Sequence, residues 1–482
     1  MGELKLHTQN YINGEWDAGV GSTPVINPAT EEVFAKVAKG SAADVDRAVS
    51  AATKAFKSWG KLRGAERAVY MRRMVAYIRD KMEDLIAIQQ TNSGKPRQEA
   101  INDIADSANV IEYYAGVAEQ LDERQYSPVD YELPQQASHT RFEPMGPVGF
   151  ILPWNFPMKI CSWKLGPALA AGCTVVIKPA AVTPFIENEW AAAAEAAGLP
   201  AGVLNIVNGS GREIGNAMTS HPGLRKISFT GSTPTGIDIM KKVAEDVKNI
   251  GLELGGKSPI IVFDDADLDL AARLVDEGIF YNCGQCCNAT GRLLVQEGIA
   301  PKLIECLKEI AERKIIGDPS NRDAQMGPQT SEAQYRTVMG YLEAAKEEGL
   351  NLLTGGGRAE GFDKGYFVQP TIYTDVPEDS KLWMEEIFGP VLCVRTFKTT
   401  EEAIAAGNNT EFGLAATVVT ENDDTATQVI EGLEAGHIYQ NSSVSIQPAS
   451  SWGGFKQSGI GRELGPWGLS GFLEVKTITS RR

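Results

Sequence analysis

A cysteine-rich loop is the segment best equipped for chemistry in this sequence. Cys283, Cys286 and Cys287 lie among glycine and asparagine residues, directly before an apolar stretch at residues 293–295 that we predict to be a strand. Thiols on loops beside strand ends are placed for reaction rather than packing. Upstream, Glu253 is a lone carboxylate in an apolar, glycine-flanked run, where a raised pKa would let it act as a general base near neutrality. A thiol nucleophile with a separate base indicates covalent chemistry on a carbonyl compound.

The three cysteines of this loop also permit other interpretations. A closed zinc site needs four ligands, but the four histidines of the chain stand in no ligand spacing. A redox pair of Cys283 and Cys286 stays open, although no thioredoxin-like context accompanies it. The seven cysteines are an odd number, which argues against a disulfide framework. We therefore expect no metal and read most of the thiols as small buried side chains.

The elements that must position this loop follow an α/β pattern. Apolar residues recur at helical spacing between about residues 42 and 123, which predicts helices. From Val148 strands and helices alternate, and a second series of this kind runs from Pro259 to about Asn441. Such alternation implies parallel sheets covered by helices on both faces. We expect two parallel-sheet α/β lobes with a cleft between them, and we predict that the glycine-rich segment 453–462 is a long loop.

Several strand ends carry polar residues that could bind a nucleotide. Ser232 and the backbone amides of its glycine-rich turn could hold one phosphate of a dinucleotide, although a plain turn is the simpler interpretation. Lys178, at the end of its strand, could reach a ribose or phosphate oxygen. Alternatively, its ammonium group could simply be exposed to solvent. Segment 251–258 matches the P-loop pattern, but Pro259 and a strand follow where a P-loop requires a helix.

Asn155 lies just past another strand end. Its amide could donate to a developing oxyanion, or could form an Asx turn beside the neighbouring prolines.

The overall composition excludes some partners. The formal net charge is −16, which argues against nucleic acid or an anionic membrane surface as a partner. The first residues lack the layout of a secretory signal, and no apolar run reaches membrane-spanning length. We expect a cytoplasmic protein whose partner is a small molecule.

Taken in order, several segments closely resemble the aldehyde dehydrogenase superfamily, and the resemblance covers nearly the whole chain. The segments are residues 153–157, 178–179, 229–233, 252–257, 284–287, 385–390 and 453–456. The resemblance implies that Cys287, rather than Cys286, is the nucleophile that forms a thiohemiacetal and then a thioester with an aldehyde. It implies that Glu253 is the base that activates water, so that a carboxylic acid is released. Asn155 and the backbone N–H of Cys287 would donate to the oxyanion.

The resemblance also implies a coenzyme, NAD or NADP, bound by a Rossmann-type domain. The implied coenzyme-binding residues are Ile151, Trp154, Lys178, Ala181, Gly231, Ser232, Leu254, Glu386 and Phe388. One position departs from the family pattern, because NAD-preferring members commonly carry a glutamate where this chain has Ala181. Without that carboxylate a 2′-phosphate is not repelled, so the use of NADP becomes plausible.

The C-terminal segment, residues 452–469, looks most like the betaine aldehyde and ω-aminoaldehyde dehydrogenase branch. In that branch, aromatic residues at positions matching Phe156, Trp163, Tyr281 and Trp452 line the aldehyde tunnel. Ring faces attract a quaternary ammonium group by roughly 0.5–2 kcal/mol. Two alternatives are an enzyme for neutral aromatic or aliphatic aldehydes and a non-catalytic protein on the same fold. The branch carries a small or aliphatic residue where this chain has His437, which could narrow the pocket or change its charge with pH.

The domain prediction follows from the same resemblance. We expect residues 1–124 and 145–254 to form the dinucleotide-binding domain and residues 255–456 the catalytic domain. Segments 125–144 and 470–482 would form a small β-ribbon element for oligomerisation. The expected assembly is a homodimer or homotetramer.

Overall fold

The strands and helices alternate over most of the chain, as the hydrophobic pattern predicts. The computed structural model describes residues 4–124, 126–128, 135–443 and 445–481. The α-helices are α1 (Ala42–Trp59), α2 (Gly64–Asp80), α3 (Met82–Ser93), α4 (Arg97–Arg124), α5 (Pro157–Ala171), α6 (Pro184–Ala196), α7 (Asn216–Thr219), α8 (Thr233–Val243), α9 (Leu268–Phe280), α10 (Ala300–Arg313), α11 (Glu332–Glu347), α12 (Lys381–Met384), α13 (Thr400–Asn408), α14 (Asp423–Gly432) and α15 (Gly465–Ser470). The strands are β1 (Asn10–Ile12), β2 (Glu15–Asp17), β3 (Gly21–Asn27), β4 (Glu32–Lys39), β5 (Tyr126–Pro128), β6 (Gln136–Pro144), β7 (Pro147–Ile151), β8 (Thr174–Lys178), β9 (Leu204–Ile206), β10 (Lys226–Thr230), β11 (Asn249–Glu253), β12 (Pro259–Val262), β13 (Arg292–Gln296), β14 (Asn351–Thr354), β15 (Thr371–Thr374), β16 (Val391–Phe397), β17 (Phe412–Gly413), β18 (Ala415–Val419), β19 (His437–Gln440), β20 (Phe455–Lys456), β21 (Gly459–Ile460) and β22 (Leu473–Arg481).

The first large sheet has the order β2-β1-β9-β8-β7-β10-β11-β21. Its five central strands, from β9 to β11, run parallel, whereas β1, β2 and β21 pair antiparallel at the two edges. Strands β7, β8 and β10 are buried along their whole length. They are buried on both sides because helices cover both faces of a parallel sheet, even though β10 has the alternating sequence KISFT.

The second large sheet has the order β14-β15-β16-β13-β12-β18-β19. All neighbouring pairs are parallel except the edge pair of β14 and β15. The predicted mixed α/β class with two parallel-rich sheets is confirmed, and the antiparallel edge strands are additions that the alternation pattern did not indicate.

A third sheet has the order β22-β6-β5 and is antiparallel. Strand β22 pairs with β6 over nine positions, from Leu473 opposite Pro144 to Arg481 opposite Gln136. The described residues of the ribbon predicted at 126–141 therefore belong to this sheet. Residues 129–134 of that segment lie outside the described residues.

The glycine-rich segment predicted as a long loop instead contains two short strands, which corrects that expectation. Strand β20 pairs with β17, and β21 pairs with β11, where Gly459 lies opposite Glu253. A side chain at Gly459 would be 2.0 Å from the carbonyl oxygen of Leu252, so the close pairing requires glycine there. The segment looks like a loop in sequence because its strands are short and their partners are distant.

The helix predicted near Arg212 is also different from the expectation. Residues Gly211–Gly215 form one π-helical turn, and the α-helix that follows, α7, has only four residues. Ser210 caps the turn by accepting a hydrogen bond from the backbone N–H of Glu213 at 3.1 Å. Glycine at both ends of the turn leaves little intrinsic helix propensity for a longer helix.

Candidate active site

The predicted coenzyme residues follow the carboxyl ends of neighbouring parallel strands. Ile151 ends β7 and Trp154 lies three residues beyond it, Lys178 ends β8, and Ser232 follows β10. In an open parallel sheet, ligands bind outside these ends. Ser232 is the N-cap residue of α8, and its exposed hydroxyl shares a hydrogen bond of 2.9 Å with Thr235. A helix N-terminus directly after a parallel strand can hold a phosphate group.

Two glycines allow close packing at this helix. A side chain at Gly231 would lie 2.5 Å from the ring of Phe229, and one at Gly236 would lie 2.5 Å from Leu254. A side chain at either position would displace its neighbour, so the two glycines favour close packing of the β10–α8 turn and of α8 against Leu254. Such a tight strand-to-helix turn is what dinucleotide binding requires of an α/β unit.

The cysteine loop is held rigidly between the two large sheets. It opens with a tight turn, Tyr281–Gly284, in which Asn282 and Cys283 have φ values of 50° and 56°. The N–H of Asn282 donates to the buried carboxyl group of Glu99 at 2.9 Å. The side-chain oxygen of Gln285 accepts from the N–H of Thr330 at 2.9 Å. These bonds fix the backbone on both sides of the turn, which keeps the following thiols in place.

The three thiols of the loop have different surroundings. Cys283 is buried, and its Sγ donates to the carbonyl oxygen of Gly327 at 2.9 Å. Cys286 and Cys287 are half-buried, and both line a cavity of about 540 Å³. Burial raises the pKa of Cys287 above its ordinary value, and the nearby carboxyl groups of Glu386 and Glu253 raise it further. The thiol of Cys287 is therefore protonated at neutral pH in the free protein, so attack by its sulfur requires a base.

Asn155 is tied to the cysteine loop rather than to its own turn. Its Nδ2 donates to the carbonyl oxygen of Gln285 at 3.0 Å, and Asn282 Nδ2 donates to the carbonyl oxygen of Asn155 at 3.1 Å. The Asn155 side chain therefore does not form the local Asx turn that was the alternative interpretation. The carboxamide is held beside the segment that leads into Cys287, where its second N–H can serve as a donor.

Glu253 ends β11 and is buried next to a buried ion pair. Burial raises the pKa of its carboxyl group well above 4.5, and the negative charge of Glu463 raises it further, whereas Lys164 and Arg462 oppose this. Lys164 Nζ donates to Glu463 and to Thr230 Oγ1, the latter at 2.8 Å. Glu253 Oε2 has no hydrogen-bond partner within the described part of the chain. The carboxyl group therefore takes up a proton more readily than an ordinary glutamate, which suits a general base.

A second cavity reaches Glu253. It has a volume of about 360 Å³ and is lined by Glu253, Lys226, Ser228 and Glu463 among others. Trp163 lines both this cavity and the larger one that contains Cys287. The base and the nucleophile thus line two different cavities that share Trp163 as a wall residue.

Glu386 and Phe388 bring the second sheet to the edge of the first. Glu386 Oε1 accepts from the N–H of Gly256 at 3.0 Å, and burial raises its pKa to about 7. Phe388 has a φ of 57°, and its ring packs edge-on against Trp154 with centroids 5.3 Å apart. These contacts join residues that the sequence predicts to be coenzyme-binding but that belong to different sheets.

Lys178 is buried rather than solvated, which corrects the alternative interpretation. It is 4% exposed, and its Nζ donates to the carbonyl oxygen of Pro179 at 2.7 Å. Burial lowers its pKa to about 8, while Glu187 opposes the shift. Glu187 accepts from the N–H of Ala180 at 2.9 Å and is itself buried, whereas Ala181 is exposed.

The four predicted aromatic residues share one cavity with Cys287. Phe156 and Tyr281 are parallel, with ring centroids 6.3 Å apart, and Trp163 meets Trp452 edge-on at 5.6 Å. His437 packs behind Trp452, with centroids 5.7 Å apart, and stacks on Tyr439 at 4.4 Å. Burial lowers the pKa of His437, so the ring is neutral at pH 7.

Sequence reasoning missed several residues that shape the site. Glu187, Lys164 and Glu463 place ionisable groups beside Lys178 and Glu253, and Lys159 and Asp106 form an ion pair in the wall of the cavity that contains Cys287. The sequence did offer one signal for Lys164, because it is a charged residue in the largely apolar helix α5. The partners of these residues are distant in sequence, so their roles could not be read from the local pattern.

Two further properties concern the described residues only. Within residues 4–124, 126–128, 135–443 and 445–481, no three histidine, cysteine or acidic side chains converge as metal ligands would. In the same ranges no helix combines the length and the apolar character needed to cross a bilayer.

Comparison with known proteins gives one consistent result. The family model described as "Aldehyde dehydrogenase family" matches residues 16–478. A chloroplastic aminoaldehyde dehydrogenase of Arabidopsis thaliana is 43% identical over 478 residues, which cover 98% of this chain and 95% of that relative. A chloroplastic betaine aldehyde dehydrogenase of Beta vulgaris is 42% identical over 479 residues, covering 98% and 96%. The crystal structure of betaine aldehyde dehydrogenase from Staphylococcus aureus in complex with NAD+ superimposes with a TM-score of 0.96 at 36% identity, covering 98% and 95%.

Proposed function

The chain belongs to the aldehyde dehydrogenase family, and from this premise we propose that it oxidises a cationic aldehyde to the carboxylic acid. Betaine aldehyde, which would give glycine betaine, and ω-aminoaldehydes are the substrates that we propose first. The observation that carries the proposal is that Cys287 shares one cavity with Phe156, Trp163, Tyr281 and Trp452. The names of the similar plant and bacterial enzymes favour the same substrate class.

The proposed chemistry assigns one step to each side chain. Cys287 loses its proton to a neighbouring carboxylate, for which Glu253 is our candidate, and its sulfur adds to the aldehyde carbon. The oxygen of the thiohemiacetal accepts from Asn155 Nδ2 and from the backbone N–H of Cys287. After oxidation, Glu253 releases its first proton to solvent and removes a proton from water, and the resulting hydroxide cleaves the Cys287 thioester. The thiol is regenerated, and a carboxylate leaves.

The coenzyme that we propose is NAD or NADP, which supplies the hydride acceptor when it is bound. The tight turn at Gly231, the exposed N-terminus of α8 at Ser232 and the buried ammonium group of Lys178 fit a dinucleotide. Ile151, Trp154 and Leu254 would border it, while Glu386 and Phe388 would hold the nicotinamide end. Ala181 offers no charge to repel a 2′-phosphate, so we propose that both coenzymes are accepted.

Assembly, domain division and location stay predictions. We propose that the sheet of β5, β6 and β22 is an oligomerisation element of a homodimer or homotetramer. Val475, on β22, exposes 62% of its side-chain surface, which a partner subunit would cover. The domain division remains at 1–124 with 145–254 and at 255–456. The proposed cytoplasmic location differs from that of the two plant relatives named above, which are chloroplastic.

The test compares two neighbouring thiols with the same assay. Cys287→Ala should abolish formation of reduced coenzyme from betaine aldehyde, whereas Cys286→Ala should retain most of the activity, although both thiols line the cavity. The assay is run with NAD and with NADP, and the product is identified as the carboxylic acid. Turnover by Cys287→Ala, or equal loss in both variants, would contradict the assignment of the nucleophile.

A further inference from the structure

The aldehyde cavity is larger than betaine aldehyde requires. Its volume of about 540 Å³ is in the range that holds drug-sized ligands, so a short aldehyde bonded to Cys287 leaves the outer part unfilled. The cavity wall includes the polar side chains of Asn102, Asp106, Lys159 and Glu277. What binds there must satisfy charged side chains of both signs.

Lys159 and Asp106 form an ion pair in the cavity wall. Lys159 Nζ donates to Asp106 Oδ2 at 2.7 Å, and the two side chains are 15% and 42% exposed. An ammonium group has three N–H donors, and Asp106 takes one of them. Lys159 can therefore accept a second negatively charged partner without breaking this pair.

Phe156, which the aromatic wall would offer to a cationic substrate, already faces two cations of the protein. The Nζ of Lys95 lies 3.7 Å from the centroid of the Phe156 ring, and that of Lys159 lies at 5.7 Å. Lys95 is itself buried and paired with Asp103. A third cation gains less from a ring whose electron density is already polarised, so the attraction of a bound ammonium group rests on Trp163, Tyr281 and Trp452.

The sign pattern distinguishes three kinds of substrate head group. An ammonium group alone is attracted by Asp106, and less by Glu277 because Arg273 pairs with that carboxylate at 3.4 Å, but it is repelled by Lys159. A carboxylate alone is attracted by Lys159 but repelled by the two acids. A head group that carries both charges on neighbouring atoms matches both signs, with its carboxylate on Lys159 and its ammonium group on Asp106.

From this pattern we infer that the enzyme takes amino aldehydes that also carry a carboxylate, that is, semialdehydes of α-amino acids. This inference rests on the proposed aldehyde oxidation and narrows its substrate class. Lys159 is the specificity-determining residue, because it is the cation that a carboxylate would meet in the cavity.

The test uses four aldehydes of matched chain length: pentanal, its ω-amino derivative, adipate semialdehyde and α-aminoadipate semialdehyde. They differ only in the presence of the ammonium group and of the carboxylate. The kcat/KM of each is measured with the full-length enzyme and NAD, for the wild type and for Lys159→Met, Lys159→Gln and Lys159→Arg. The two amino aldehydes close to cyclic imines to different extents, so each kcat/KM is calculated for the measured open-chain concentration; for one substrate the correction cancels when enzymes are compared.

In the wild type, we expect the added carboxylate of α-aminoadipate semialdehyde to raise kcat/KM about tenfold over the ω-amino derivative, as a charge-assisted hydrogen bond would. Lys159→Met and Lys159→Gln should remove this gain, and Lys159→Arg should keep much of it. The inference is overturned if the wild type oxidises the ω-amino derivative at least as well, or if the ratio is the same in Lys159→Met. Failure to oxidise all four aldehydes and betaine aldehyde would instead overturn the proposed function.

Discussion

Asn155 Nδ2 donates to the carbonyl oxygen of Gln285 at 3.0 Å and so joins the loop after β7 to the cysteine loop of the other sheet. Asn282 completes the link, because its Nδ2 donates to the carbonyl oxygens of both Asn155 and Gln285. The carboxamide of Asn155 is thereby oriented before any substrate arrives. A donor that is already oriented stabilises developing negative charge without reorganisation.

We predict that Asn155→Ala lowers kcat by about 10²–10³-fold, the effect typical of removing one oxyanion donor. The comparison variant is Asn282→Ala, which loses the bonds that orient Asn155 but leaves its amide present. It should lower kcat by less than Asn155→Ala does. Steady-state kinetics with a neutral aldehyde measure both effects. A larger loss in Asn282→Ala would mean that loop rigidity, rather than oxyanion donation, is the main contribution.

The proximity of Glu463 to Glu253 predicts that the turnover rate depends on pH. Burial and, second to it, the negative charge of Glu463 raise the pKa of Glu253 well above 4.5. The ionised form that acts as base becomes more abundant as pH rises, so we expect steady-state turnover to increase with pH. Glu463→Gln removes that negative charge, so the rise should shift to lower pH. An unshifted profile would show that Glu463 does not influence the base.

Glu253→Gln should separate the two halves of the reaction. Because glutamine can take neither the proton of the Cys287 thiol nor that of water, the thioester should form slowly, at most once, and then persist. Rapid mixing should detect at most one equivalent of reduced coenzyme, followed by very slow turnover. Sustained turnover in this variant would remove Glu253 from the role of hydrolytic base.

Trp452 should contribute more to binding a cation than to binding a neutral molecule of the same shape. The matched pair of substrates is betaine aldehyde and tert-butylacetaldehyde, in which carbon replaces the quaternary nitrogen. Trp452→Ala should weaken binding of betaine aldehyde by roughly 0.5–2 kcal/mol more than binding of the neutral isostere. Trp452→Phe keeps an aromatic ring, so its loss of betaine aldehyde binding should lie between that of the wild type, which is zero, and that of Trp452→Ala. Equal losses for both substrates would mean that the indole contributes shape alone.

The part of the site that lies in local motifs was predictable, and the part formed by distant pairs was not. Lys178 and Ser232 were located correctly at strand ends, because a strand and the turn after it are encoded together. The burial of Lys178 was not foreseen, since its neighbour Glu187 comes from the next helix. Strand β21 was missed because a two-residue strand exists only through its partner β11. The ion pair of Lys164 with Glu463 spans 299 positions, beyond the reach of any local pattern.

Glu99 should make the stability of the protein depend on pH. Its carboxyl group accepts from the N–H of Asn282, and burial raises its pKa from 4.5 to about 7. Because the folded state holds the proton more tightly, the stabilisation is fully present below pH 4.5 and is lost as pH rises through about 7. The loss is on the order of 3 kcal/mol in the free energy of unfolding.

Glu99→Gln, which is neutral at every pH and can still accept from Asn282, should lack this loss. Its free energy of unfolding should therefore improve relative to the wild type as pH rises from 5 to 8. Urea denaturation across that range measures the difference, with the exposed Glu421→Gln as the control that follows the wild type. If the free energies of unfolding of Glu99→Gln and wild type change in parallel with pH, burial does not raise the pKa of Glu99 in the folded protein.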